Sequence, residues 1–170
     1  VRFESQSDDK FEVPPAPSSS VQEDDEGDIE ALVARLEKET RRVKERRGAR
    51  LYRTTCATCH GVSGRGNGPS SRGLDPQPRD FTLGVFKWRS TESGSLPLDE
   101  DIFRTISRGS PGTLMVSWKD LLSEEQRWDL VAHVKSFSSR FEEEGVEEEE
   151  IVEIPEETPA ATSESIARGK

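Results

Sequence analysis

Three stretches of the chain space their apolar residues as an amphipathic helix does. In the first, Ile29, Leu32, Val33, Leu36 and Val43 form a narrow stripe behind Asp28, which suits the N-cap. Pairs such as Glu37 and Arg41 support it at i,i+4. The second runs from Glu100 to Arg108, with Ile102, Phe103 and Ile106 on one face, Asp99 as the cap and Gly109 as the stop. The third follows Ser123-Glu124-Glu125-Gln126, a capping-box pattern, and turns Leu130, Val131, Val134, Phe137 and Phe141 to one side. Between the helices lie Pro/Gly-rich loops, the longest over residues 74–98. The pattern predicts an all-α fold: a small helical domain with long, mostly irregular acidic extensions. The expected layout is a Pro/Ser/acidic linker over 1–27, a charged amphipathic helix over 28–47, a small helical domain over 48–141 and an acidic tail over 142–170.

Composition sharpens that layout. Apolar residues make up 31% of the 170 and charged ones 34%, so one large core is not expected. Residues 1–47 carry 9 Lys/Arg against 13 Asp/Glu, residues 48–140 carry 13 against 10, and residues 141–170 carry 2 against 11. A mildly basic unit thus sits between acidic flanks, a balance that argues against nucleic acid as a partner. There is no run of 18 apolar residues, so no transmembrane helix is expected in this chain. The sequence has no initiator methionine and no basic start followed by an apolar stretch. It reads as a mature exported protein whose targeting segment has been removed.

The candidate chemistry is concentrated in Cys56-Ala57-Thr58-Cys59-His60. Two cysteines two residues apart with a histidine directly after the second form the attachment signature of a c-type haem: each thiol adds to one vinyl group and the imidazole meets the iron. A zinc site would need four ligands, and no second Cys/His pair is present. A thioredoxin-like redox pair would sit in a βαβ setting, and no strand-rich pattern surrounds this one. A disulfide across so short a loop would stabilise little. Covalent haem attachment normally takes place outside the cytoplasm, so a periplasmic or other extracytoplasmic location is expected.

The flanks carry a family resemblance. Gly48-Ala49-Arg50-Leu51-Tyr52 running into Cys-Ala-Thr-Cys-His-Gly, followed by Gly64, Gly66, Gly68 and Pro69, resembles the class I mono-haem c-type cytochromes. That resemblance implies a role for Pro69, whose carbonyl would accept from the second ring nitrogen of His60 and orient it. It also implies that Met115, in Gly112-Thr113-Leu114-Met115-Val116-Ser117-Trp118, is the sixth iron ligand. Val116 stands where the family usually has proline, which leaves the loop less rigid. Trp88 or Arg89 would contact a haem propionate, and Trp118 would pack on the haem or its loop. The last helix would cross the first through Tyr52 or Leu51 against Val134 or Phe137. His133 on that helix reads as a packing or surface histidine, and bis-His ligation through it as the lesser alternative.

The function these features imply is one-electron transfer through a single covalent haem c, with His60 and Met115 as the metal ligands and Cys56 and Cys59 as the attachment points. The expected protein is an electron carrier rather than an enzyme in its own right. Its expected partners are redox proteins, either the other subunits of a membrane-associated respiratory or photosynthetic complex or, for a diffusible periplasmic carrier, transient ones. An open-site haem enzyme or gas-binding protein would require loss of Met115 from the iron. The basic cluster Arg41, Arg42, Lys44, Arg46, Arg47, Arg50 and Arg53 is either a helix face neutralised by nearby glutamates or a surface that steers an acidic partner. The stripe from Ile29 to Val43 either lies on its own domain or docks a partner subunit.

Overall fold

A computed structural model describes residues 24–144 and 152, and the expected linker before residue 24 and most of the acidic tail lie outside them. Among the described residues the regular structure is entirely helical. Helix α1 spans Asp24–Thr55, α2 Ala57–His60, α3 Asp99–Arg108, α4 Glu124–Lys135 and α5 Arg140–Glu143, with short 3-10 turns at Pro69–Ser71 and Phe81–Leu83. The chain divides into two units between Glu37 and Lys38.

Helix α1 corrects two expectations. Asp28 lies inside it rather than at its cap, and the helix runs on through Gly48 to Thr55 rather than ending at residue 47. In the first unit, Ile29, Leu32, Val33 and Leu36 stay between 47% and 59% exposed, so this stripe is an open apolar face. In the second unit, Gly48 is buried for a packing reason. A Cβ there would stand 2.0 Å from the Asp129 carbonyl oxygen and 2.8 Å from His133 Cβ, so glycine lets α1 and α4 meet backbone to backbone. One turn on, Tyr52 is 1% exposed and its ring meets Phe137 at 5.1 Å and His133 at 5.0 Å. This is the expected crossing. Arg47 fastens it, reaching Asp129 at 2.9 Å and Glu125 at 2.5 Å, so one member of the basic cluster is structural. Burial pushes the Asp129 carboxyl up and Arg47 draws it back down.

Around the crossing, Tyr52, Ala57, Phe81, Ile102, Ile106, Leu130, Val131 and Val134 form one buried cluster. At roughly 1.5–3 kcal/mol for each fully buried large apolar side chain, this small set is the main source of stability. Helix α4 begins as its capping box dictates: Gln126 N–H donates to Ser123 Oγ, and Ser123 N–H donates to Gln126 Oε1. It ends at Lys135, earlier than expected, so Phe141 belongs to α5. Gly109 stops α3 at φ +75°, as expected. The capping role expected of Asp99 falls to Asp101, which accepts from Leu98 N–H, because Asp99 is already the first residue inside the helix, where it pairs with Lys135 at 2.5 Å.

Asp101 also organises the longest loop. Its buried carboxylate accepts from Ser90 N–H at 2.8 Å, Ser90 Oγ at 2.9 Å, Leu98 N–H at 3.2 Å and Arg104 at 3.0 Å. Arg140 holds the same loop from the other side, donating to the Gly84 and Gly94 carbonyls. A segment with little regular structure beyond the 3-10 turn at Phe81–Leu83 is thereby fixed by charge-assisted hydrogen bonds to its backbone.

Candidate functional site

The attachment pentapeptide sits at the end of the longest helix. The Cys56 N–H still donates to the Tyr52 carbonyl, so helical geometry carries on through the first cysteine into α2. Gly61 then turns the chain at φ +74°. The Tyr52 hydroxyl donates to the Gly61 carbonyl at 2.8 Å and so brackets the motif from both sides. Burial pushes the Cys56 thiol up, although the Thr55 hydroxyl 3.2 Å from its sulfur works the other way.

Cys56, Cys59 and His60 open onto a cavity of about 450 Å³. That size is in the usual range for a site holding a small molecule or cofactor. Met115 lies on the wall of the same cavity, with Ile102, Ile106, Val134 and Trp118 among the apolar residues beside it. Two thiols at attachment spacing, an imidazole, a thioether and apolar walls suit a covalently attached haem. Among the described residues, no group of three or more His, Cys, Asp and Glu could hold a metal ion by itself.

The imidazole is held along its edge and its face. His60 Nδ1 lies 3.1 Å from the Arg79 carbonyl oxygen; a carbonyl only accepts, so Nδ1 carries the proton and Nε2 keeps its lone pair for a metal. The Phe81 ring stacks on His60 at 4.5 Å with an 18° interplanar angle. Burial lowers the His60 pKa, the Arg79 contact opposing it, and so favours the neutral ring that a metal requires.

Arg79 replaces Pro69 in the expected role. At Gly68 the chain lies against α2, with its N–H on the Cys59 carbonyl, and Pro69 then opens an exposed 3-10 turn. The edge of His60 faces the next loop instead.

Met115 is presented by a loop clamped through its backbone. Ser110 N–H donates to the Met115 carbonyl at 3.1 Å, and Met115 N–H donates to Thr113 Oγ1. A Cβ on Gly109 would stand 2.5 Å from that carbonyl oxygen, so the glycine admits the close approach. Trp88 lines the cavity and donates from Nε1 to Ser110 Oγ, which ties the long loop to the methionine loop. Arg89 is corrected: its guanidinium donates to the Phe86 and Glu92 carbonyls, and it is not on the cavity wall. Two of its five N–H groups are thereby spent on shaping the loop. His133 also stays off that wall, packed edge-on against Tyr52 and Phe137.

Residues 43–134 match the family described as cytochrome c oxidase, cbb3-type, subunit III. The chain is 30% identical over 100 residues to a cytochrome c of Theileria annulata, covering 55% of this chain and 86% of that protein. It is 29% identical over 100 residues to a cytochrome c of Theileria parva, with the same coverage. Among solved structures it is similar to a chain of the Kuenenia stuttgartiensis reducing HAO-like protein complex, at 48% identity and a TM-score of 0.62. That match covers 72% of this chain and 54% of the other, so it spans about half of the neighbour's length.

Proposed function

The chain belongs to the c-type cytochromes, in the family described as cytochrome c oxidase, cbb3-type, subunit III, and from that premise we propose that it relays single electrons with His60 and Met115 as axial ligands, as one subunit of a larger complex. Its cofactor is covalent haem c, held through Cys56 and Cys59, and its role is haem-based electron transfer. When bound, haem c supplies a one-electron iron couple whose potential depends on the axial ligands and on exclusion of solvent.

The protein's own part is orientation and shielding. The Arg79 carbonyl and Phe81 hold His60, the clamped 110–115 segment presents a soft thioether, and the apolar walls exclude water. A site filled on both sides leaves no position for substrate and changes oxidation state with little rearrangement. The placement of His60 and of Met115, the sole methionine, on one apolar cavity carries this reading.

The likeness to a chain of a multi-protein complex supports the subunit role. The open stripe Ile29, Leu32, Val33 and Leu36 offers a neighbouring subunit an apolar seat. Among the described residues no helix is long and apolar enough to cross a membrane, so membrane association would run through those partners. Covalent attachment of the haem supports an extracytoplasmic location.

Two measurements test the proposal. The absorption spectrum of the oxidised protein should contain the methionine-sulfur-to-iron charge-transfer band, and its absence would remove Met115 from the iron. Purification at high salt should recover the chain with other subunits, whereas a lone monomer would make it a diffusible carrier.

A further inference from the structure

We propose that Phe81 is a positioning residue that sets the plane of the His60 imidazole. This builds on His60 as an axial ligand, as proposed above. The hydrogen bond from Nδ1 to the Arg79 carbonyl fixes the direction in which the ring edge points. It leaves the ring free to turn about that N–H···O line. A flat neighbour at 4.5 Å and 18° blocks the turn. Residues 79 and 81 of one loop thus grip a single side chain by its edge and its face.

Phe81 is itself held from several directions. Its N–H donates to the Gly64 carbonyl at 2.7 Å. The Asp80 carboxylate accepts from both Thr82 N–H and Thr82 Oγ1, which closes the 3-10 turn that carries the ring. Phe86 stacks on it at 5.9 Å and Phe137 at 6.1 Å. Gly64, at φ +71°, brings the post-motif loop so near that a Cβ there would stand 2.8 Å from the Phe137 ring. An aliphatic residue would fill the same volume, but only a flat ring transmits this rigidity to the imidazole face. The ligand plane matters because it decides how imidazole π density meets the iron orbitals, and so affects both the spectrum and the potential.

The test uses the full haem-loaded chain and the electron paramagnetic resonance spectrum of its ferric form. Phe81→Leu should broaden the low-spin signal and shift its largest g value, while Phe81→Tyr should restore the wild-type line. Phe103→Leu, which removes the Phe103–Trp128 stack away from His60, should lower the melting temperature and leave the line unchanged. An unchanged signal in Phe81→Leu, or an equal change in Phe103→Leu, would overturn the assignment. If Phe81→Leu does not retain haem, Phe137→Leu removes the support behind Phe81, and the same broadening is expected or its absence overturns it. A wild-type signal that is high-spin would sink the Met115 reading alone. The iron–histidine stretching band of the reduced protein would then read the same variants.

Discussion

Met115→Leu should abolish the charge-transfer band, lower the reduction potential and let the reduced protein bind carbon monoxide readily. Leucine nearly conserves the methionine volume, so the apolar wall is kept and little fold stability is at stake. The contacts that shape the loop, from Ser110 N–H to the Met115 carbonyl and from Met115 N–H to Thr113, are backbone contacts and survive the change. What disappears is the thioether sulfur, and with it the preference for the reduced metal. Axial ligands move haem potentials over a range of about 0.8 V, so the drop should be among the largest that any single substitution in this chain can give. A variant with an unaltered band and potential would show that another residue occupies the sixth position.

The second large effect is on folding. Gly48→Ala should lower the melting temperature, against the ordinary trend. In a helix interior that change usually adds up to about 1 kcal/mol, because alanine is the better helix former. Here the new methyl group would stand 2.0 Å from the Asp129 carbonyl oxygen, a backbone atom that cannot swing aside. Overpacking of this kind costs on the order of 1–3 kcal/mol, and more where the obstacle is main chain. The helix crossing must open, which moves Tyr52 away from Phe137 and loosens the Arg47–Asp129 contact. A net loss of about 2 kcal/mol would lower the midpoint by roughly 10 °C in a domain of this size. Gly27→Ala on the same helix is the control, since nothing lies within 4 Å of its would-be Cβ. Thermal unfolding followed by helix ellipticity separates the two, and a Gly48→Ala protein as stable as wild type would contradict the close crossing.

Much of the site was legible because its chemistry depends on side-chain identity at fixed spacing. Cys56, Cys59 and His60 announce themselves, and Met115 stands out as the sole methionine in a Pro/Gly loop. Periodicity found the helices, and the cap at Ser123 and the stop at Gly109 follow from local hydrogen bonding. Other features left weaker marks. The group that orients His60 is the Arg79 carbonyl, and main-chain carbonyls look alike at every position. Pro69 took that role from the family resemblance, while its loop packs on α2 instead. Gly48 read as the boundary between two segments, since glycine marks breaks more often than close crossings. Asp101 is one of three acids in the first turn of its helix, and nothing in the sequence marks its service to Ser90, which depends on where the loop returns. Arg89 was misplaced for a related reason: a guanidinium that could hold a propionate holds two nearby carbonyls equally well.

The hydroxyl of Tyr52 has a bearing on where an oxidising equivalent can rest. A phenol gives up an electron easily only if its proton can leave with it. Here the proton is directed at the Gly61 carbonyl, which is too weak a base to take it. Burial raises the phenol well above its ordinary range. The one tyrosine of the chain, one turn from the attachment site, is thus a poor trap for a hole, and a tyrosyl radical signal on strong oxidation would contradict this. The contact that brackets the motif thereby also keeps oxidation off this ring.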